Sequence, residues 1–172
     1  MPPKIWSAIS NNKYKRDKGD NLYRRSLYTY WRRTIPPPTM MNFNAGDREV
    51  CTMRQSRINT PLQALTLMNN VAFVEASRLL AERMLREGGD DISGRVTFGF
   101  QVLLGREASA TEIERLTADY ASYRAGFDAA AAAELLKIGD KPHDAKLDPV
   151  ELAATTLVAS TILNLDETLT RE

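Results

Sequence analysis

Two residue types that build most enzymatic and metal sites are nearly missing from this chain: it has one cysteine and one histidine in 172 residues. A lone Cys51 excludes an internal disulfide and any cysteine-based zinc cluster. His143 sits in a polar stretch with no second imidazole, so no histidine pair is available for a metal. No apolar run approaches the roughly 20 residues that a membrane-spanning helix needs. The opening MPPKIWSAISNNKYKRDKG shows no apolar core of a signal peptide. Strong charge of one sign is also lacking. The net charge is +1, so the chain as a whole has no field that would gather nucleic acid or an anionic membrane.

Catalytic signatures are absent too. There is no GxSxG elbow, phosphate loop, CxxC, HExxH or CxxCH haem attachment motif. Cys51 and His143 stand far apart in sequence and make no recognisable nucleophile–base pair. The cofactor expectation for this chain is therefore none.

What is present is uneven. Residues 1–60 hold 12 Lys/Arg against 4 Asp/Glu, and residues 61–172 hold 11 against 18. The halves carry +8 and −7. Such asymmetry predicts either a basic lead-in lying on an acidic body or a cationic face for an anionic partner. The apolar content of 43% and charged content of 26% suit a globular protein.

The periodicity predicts a mostly α fold: an irregular, proline-containing N-terminal segment wrapped on a compact multi-helix bundle. The division predicted is one domain, 1–172, with a basic lead-in over 1–59 and a helical body over 60–172. In the lead-in, Ile5 and Trp6 are expected anchors. Leu22 to Arg33 can be read as a helix, with Tyr23, Leu27, Tyr30 and Trp31 on one face, or over Leu27 to Thr34 as an extended strand; the apolar spacing of three and four favours the helix. Pro36, Pro37 and Pro38 force an extended rod. Met40, Met41 and Phe43 follow as apolar cover, and Asn44 to Asp47 as a turn.

The helical body has clear punctuation. Thr60-Pro61 is a cap followed by a first-turn proline. Leu62, Leu65, Thr66 or Met68, and Leu67 are expected to be buried. Val71 to Arg86 reads as an amphipathic helix with Glu75, Arg78, Glu82, Arg83 and Arg86 outward. Ile92 to Leu104 is expected to close at Gly105. Ser109 and Glu112 match a capping box. An alanine-rich helix ends at Ile138, a polar loop follows, and Asp148-Pro149 opens a last, strongly apolar helix to Leu165. That helix should lie at the centre of the bundle.

The strongest polar constellation is Arg54, Arg57, Asn59, Gln63 and Asn69, flanked by Asp47 and Glu49. Guanidinium and amide groups at a helix start can hold an anion or a sugar, since unpaired N–H groups and the helix dipole favour negative charge there. The same residues can equally form a network that ties the irregular segment down.

Three phrases carry a resemblance: LYRRSLYTYWRRTIPPPTMMNF, DREVCTMRQSRINTPLQALTLMNN and FVEASRLLAERM. The chain resembles the planctomycete-type C-terminal domain of unknown function. That domain ends large exported proteins that carry a planctomycete-type cytochrome c domain near their start. The closing LDPVELAATTLVASTILNLDE is similar to the last helix of that family. The chain departs from the pattern at Ile58, Asn70 and Val71, so no carboxylate falls at position 70. The resemblance implies the C-terminal fragment of a longer, exported or periplasmic protein, with any haem elsewhere. It implies no activity.

Two functions are therefore expected to compete. One is a helical structural or interaction domain whose partners are neighbouring domains of the same polypeptide. It predicts an exposed apolar patch at Ile5, Trp6, Met40, Met41 and Phe43. The other is an anion- or glycan-binding, or hydrolytic, domain built on the arginine, asparagine and glutamine cluster around NTPLQ. It predicts a concave site with Arg57 and Gln63 exposed.

Overall fold

A computed structural model describes residues 17, 19–32, 35–46, 51 and 58–170. The chain divides into two compact units, Met1–Ile58 and Asn59–Glu172. Helices make up both, and no strand occurs among the described residues. The mostly α reading is what the structure shows.

The N-terminal unit is turns rather than the long helix expected over Leu22 to Arg33. Two short 3₁₀ helices, Gly19–Tyr23 and Ser26–Tyr28, are separated by Arg25 in an extended conformation (φ −57°, ψ 148°). Thr29 is extended again. Most of the expected apolar face finds no cover: Tyr23, Leu27 and Tyr30 are exposed, and Trp31 alone is half-buried. Short helices draw most of their stability from packing an apolar face, and aromatic residues add little intrinsic propensity. Without cover the segment settles into 3₁₀ turns.

Pro37 keeps the extended geometry (φ −59°, ψ 122°), but Pro38 starts helix α1, Pro38–Asn42. A proline is favourable there because its missing N–H would be unpaired anyway. Asn44 then turns the chain with φ 54°. None of the described residues of this unit is buried.

The second unit holds seven helices: α2 (Pro61–Asn69), α3 (Val71–Glu87), α4 (Ile92–Leu104), α5 (Ala110–Gly126), α6 (Ala129–Leu136), α7 (Pro149–Leu163) and α8 (Asp166–Leu169). Their starts follow the sequence signals. Thr60, Asn70, Asp91, Ser109, Asp128 and Asp148 each accept a backbone N–H from the first turn. Such caps satisfy donors that the helix itself leaves over. Ser109 and Glu112 form the expected capping box. Gly105 closes α4 in the left-handed region, φ 72°.

Helix α7 is the axis of the unit and packs on α3, α5, α6, α4 and α2. Leu152, Ala153, Ala154, Val158, Ala159 and Ile162 are fully buried. Two of its buried residues carry hydroxyls, which are satisfied locally: Thr155 donates to Glu151 O at 2.8 Å and Thr156 to Leu152 O at 2.7 Å. Leu80, Met84, Val96, Phe100, Leu116, Tyr120 and Leu136 complete the core. Val102 on α4 is exposed.

Candidate functional site

The NTPLQ motif lies where the second unit begins. Thr60 Oγ1 accepts the Gln63 amide N–H, and the Gln63 side-chain Oε1 accepts the Thr60 N–H at 2.8 Å. The pair is a capping box, with glutamine in the place of the usual glutamate. Gln63 is buried, and its side-chain oxygen is committed to this backbone bond. Asn69 Nδ2 donates to Leu65 O, one turn back on the same helix, at 2.9 Å. Asn59 Nδ2 donates to Asp166 Oδ1, also at 2.9 Å, which ties the motif to α8. Asn59, Gln63 and Asn69 thus each hold local architecture. Arg54, Arg57, Asp47 and Glu49 lie outside the described residues, so the seven-residue cluster is not seen as one site.

Helix α2 reverses the expected burial. Leu62, Leu65 and Met68 are 55%, 56% and 54% exposed. The buried side chains are Gln63 and Leu67. At about 100° per residue, the pair 63/67 and the trio 62/65/68 point to opposite sides of the helix. Both sides are mostly apolar, and the capping role of Gln63 decides which one turns inward. Ile58 just before the helix and Val71 just after it are exposed as well.

Helix α3 reverses it in the other sense. Glu75, Arg78 and Glu82 were expected outward and are buried, Arg78 at 1% exposure. Spaced i, i+3, i+7, they share one face. Arg78 Nη1 donates to Glu82 Oε1 at 2.8 Å, and Arg78 Nη2 to the Lys141 carbonyl at 2.6 Å. Glu75 Oε1 accepts the N–H groups of Asp140 and Lys141 at 3.1 and 2.7 Å. Glu82 Oε1 takes the Asp144 N–H at 3.4 Å. The polar loop 139–146 is therefore the lid over these charges, and the charges supply its backbone bonds.

Gly139 opens that loop with φ 111°. A Cβ there would lie 2.6–2.9 Å from the Glu75 side chain, so both conformation and space require glycine. Arg86 pairs with Asp144 at the loop's outer edge. The Asp144 carboxyl is held below its ordinary range, first by the Lys146 N–H it accepts and then by Arg86.

A third charged node sits where α5 begins. Arg106 donates to both oxygens of Glu112 at 2.8 and 3.0 Å, and to Glu167 at 2.9 Å. Its guanidinium lies 5.0 Å from the centre of the Phe100 ring. Glu112 is lowered to about 2, first by the Arg106 hydrogen bond and further by the Ser109 N–H and hydroxyl, against the opposing effect of burial.

Each carboxylate in these nodes is spent on a guanidinium or a backbone N–H. No group of three or more metal-ligating side chains occurs among the described residues. Cys51 is exposed and unpaired. Among the described residues no helix is long and apolar enough to cross a membrane. Of the apolar patch expected in the N-terminal unit, Met41 is exposed and Met40 and Phe43 are half-buried, while Ile5 and Trp6 lie outside the described residues. The feature the sequence did not reveal is the bare face of α2. Its only signal was a helix apolar on both sides.

A family model described as PSD1, a protein of unknown function (DUF1553), matches residues 2–120. That span covers the N-terminal unit and runs through α2, α3 and α4 into α5. No curated protein and no solved structure matches the chain.

Proposed function

The chain belongs to the family of proteins of unknown function described as PSD1 (DUF1553), and from that premise we propose that it is a non-catalytic interaction domain that docks through α2. Its partners in this reading are neighbouring domains of the same, longer polypeptide. That polypeptide is exported and carries its haem in a separate cytochrome c domain, as the three sequence phrases suggest.

One observation carries the reading: the exposed row Leu62, Leu65 and Met68 on a helix whose opposite side is already packed. A helix apolar all round belongs in an interior. Covering each half-exposed Leu or Met would contribute on the order of 1 kcal/mol, since full burial of such a side chain is worth about 1.5–3 kcal/mol. The rival is an anionic ligand or glycan, or a hydrolytic site, around Arg54, Arg57, Asn59 and Gln63. It has less to draw on, because the Gln63 side-chain oxygen and the Asn69 side-chain N–H are already committed to α2 and its cap.

The test is association of the isolated chain with the remainder of the full-length polypeptide, produced separately. Wild type is expected to bind the remainder and to lose its binding of an apolar fluorescent dye on doing so. Leu65→Glu with Met68→Glu is expected to abolish both signals while the helical circular dichroism stays unchanged. A wild-type chain that binds neither dye nor remainder would sink the reading.

A further inference from the structure

We propose that the N-terminal unit carries a binding cleft for an anionic saccharide, with Arg24 and Arg25 holding the carboxylate or sulfate and Tyr28 receiving a sugar face. The proposal is independent of α2 docking, since every residue it uses belongs to the other unit.

The cleft has a volume of about 530 Å³, within the range of small-ligand sites. Asn21, Arg24, Arg25, Tyr28 and Thr29 line one part of it, and Pro37, Pro38 and Met40 another. Its walls are fixed by the features that break the expected helix. The extended residue Arg25 divides the two 3₁₀ turns, and the prolines stiffen the opposite wall.

Charge identifies the ligand class. Arg24 and Arg25 form no ion pair among the described residues, whereas Arg78, Arg83, Arg86, Arg95, Arg106 and Arg115 each reach a carboxylate. Two consecutive arginines against a single lining carboxylate, Asp17, leave the cleft a net positive charge, and a guanidinium is suited to a planar or trigonal anion, which it can bind through paired N–H donors. Tyr28 is exposed and offers a flat apolar face with a hydroxyl at its end. The amide of Asn21 and the hydroxyl of Thr29 can exchange hydrogen bonds with neutral hydroxyls. Asp17 also lines the cleft. A carboxylate accepts from sugar hydroxyls and repels a run of phosphates.

Nucleic acid fits less well on the same evidence. Binding by charge neutralisation typically uses roughly 6–10 phosphate contacts, and the cleft supplies two guanidiniums.

The experiment is calorimetric titration of the whole chain with four probes: an oligouronate, a sulfated oligosaccharide of equal length, a neutral one, and a single-stranded oligonucleotide. One or both anionic saccharides should bind, and which of them does so separates carboxylate from sulfate recognition. Arg24→Gln and Arg25→Gln should each weaken binding about tenfold or more, the scale of one lost charge-assisted contact. Tyr28→Ala should weaken it several-fold. Arg24→Lys keeps the charge but loses the fork, and should recover only part of the affinity. All three positions are exposed, and circular dichroism checks that each variant keeps its helices. The proposal is overturned if no saccharide binds, if the neutral probe binds equally well, if the arginine variants bind as wild type does, or if the oligonucleotide binds more tightly than every saccharide.

Discussion

Helix α7 and helix α2 both open on a cap and a proline, Asp148-Pro149 and Thr60-Pro61, and both are apolar around most of their circumference. Helix α7 packs against α3, α4, α5 and α6, and eight of its residues are buried. Helix α2 meets α3 and α7 on one side and buries two. Composition alone gives the two helices the same assignment. What separates them is the number of neighbours the chain can bring to each. The lesson is that coverage, not hydrophobicity, sets what a residue contributes to stability.

The largest test of that lesson uses charge rather than apolar surface. Arg78 and Arg83 lie on the same helix and each pairs with a glutamate one turn on. Arg78 is covered by loop 139–146, while Arg83 is about half exposed. Arg78→Ala leaves Glu75 and Glu82 buried without their cation and should cost about 3–5 kcal/mol. Arg83→Ala removes a solvent-screened surface pair and should leave the unfolding midpoint almost unchanged. Urea unfolding followed by helical circular dichroism reads both. Equal losses would mean that coverage does not govern the charged face of α3.

The apolar version is the next largest. Ile162 on α7 is fully buried, and Ile162→Ala should destabilise the second unit by about 2–5 kcal/mol through lost transfer energy and the cavity left behind. Leu65→Ala on α2 removes a similar side chain from a half-exposed site and should fall within about 0.5 kcal/mol of wild type. A Leu65→Ala cost approaching that of Ile162→Ala would show that the α2 face is already covered in solution, and the comparison would break.

The same contrast explains what could be read in advance. Helix starts were legible because capping is local: Thr60-Pro61, Ser109 with Glu112, and Asp148-Pro149 each signal within four residues. The central place of α7 was legible because no face of it is polar. The inward turn of Glu75, Arg78 and Glu82 was not, because their cover is a loop more than 60 residues later in the chain. Nor was the bare side of α2, since choosing between its two apolar faces depends on Gln63 entering the cap. In the N-terminal unit, the three-and-four spacing of Tyr23, Leu27 and Tyr30 suggested a helix that needed a packing surface it does not have. Of the polar cluster around NTPLQ, the three described members proved to be tethers, and their roles depend on backbone partners that side-chain spacing cannot show.

The smallest effect belongs to a pair that is neither covered nor bare. The side chains of Arg106 and Glu112 are 37% and 31% exposed. Glu112 is lowered to about 2 in the folded chain, chiefly by the Arg106 hydrogen bond, from an ordinary value near 4.5. A carboxyl whose folded value lies below its unfolded one stabilises the fold when ionised. That contribution is complete above about pH 4.5 and is lost as the pH falls toward 2. Solvent screening limits it to about 1 kcal/mol or less. Arg106→Gln should therefore melt about 2–4 °C below wild type at pH 6, and the gap should narrow as the pH is lowered. Any gap that survives near pH 2 measures the contacts of Arg106 that do not titrate, with the Phe100 ring and with the Glu107 carbonyl. A gap of constant size from pH 6 to pH 2 would assign the whole effect to those two contacts and none to the carboxylate.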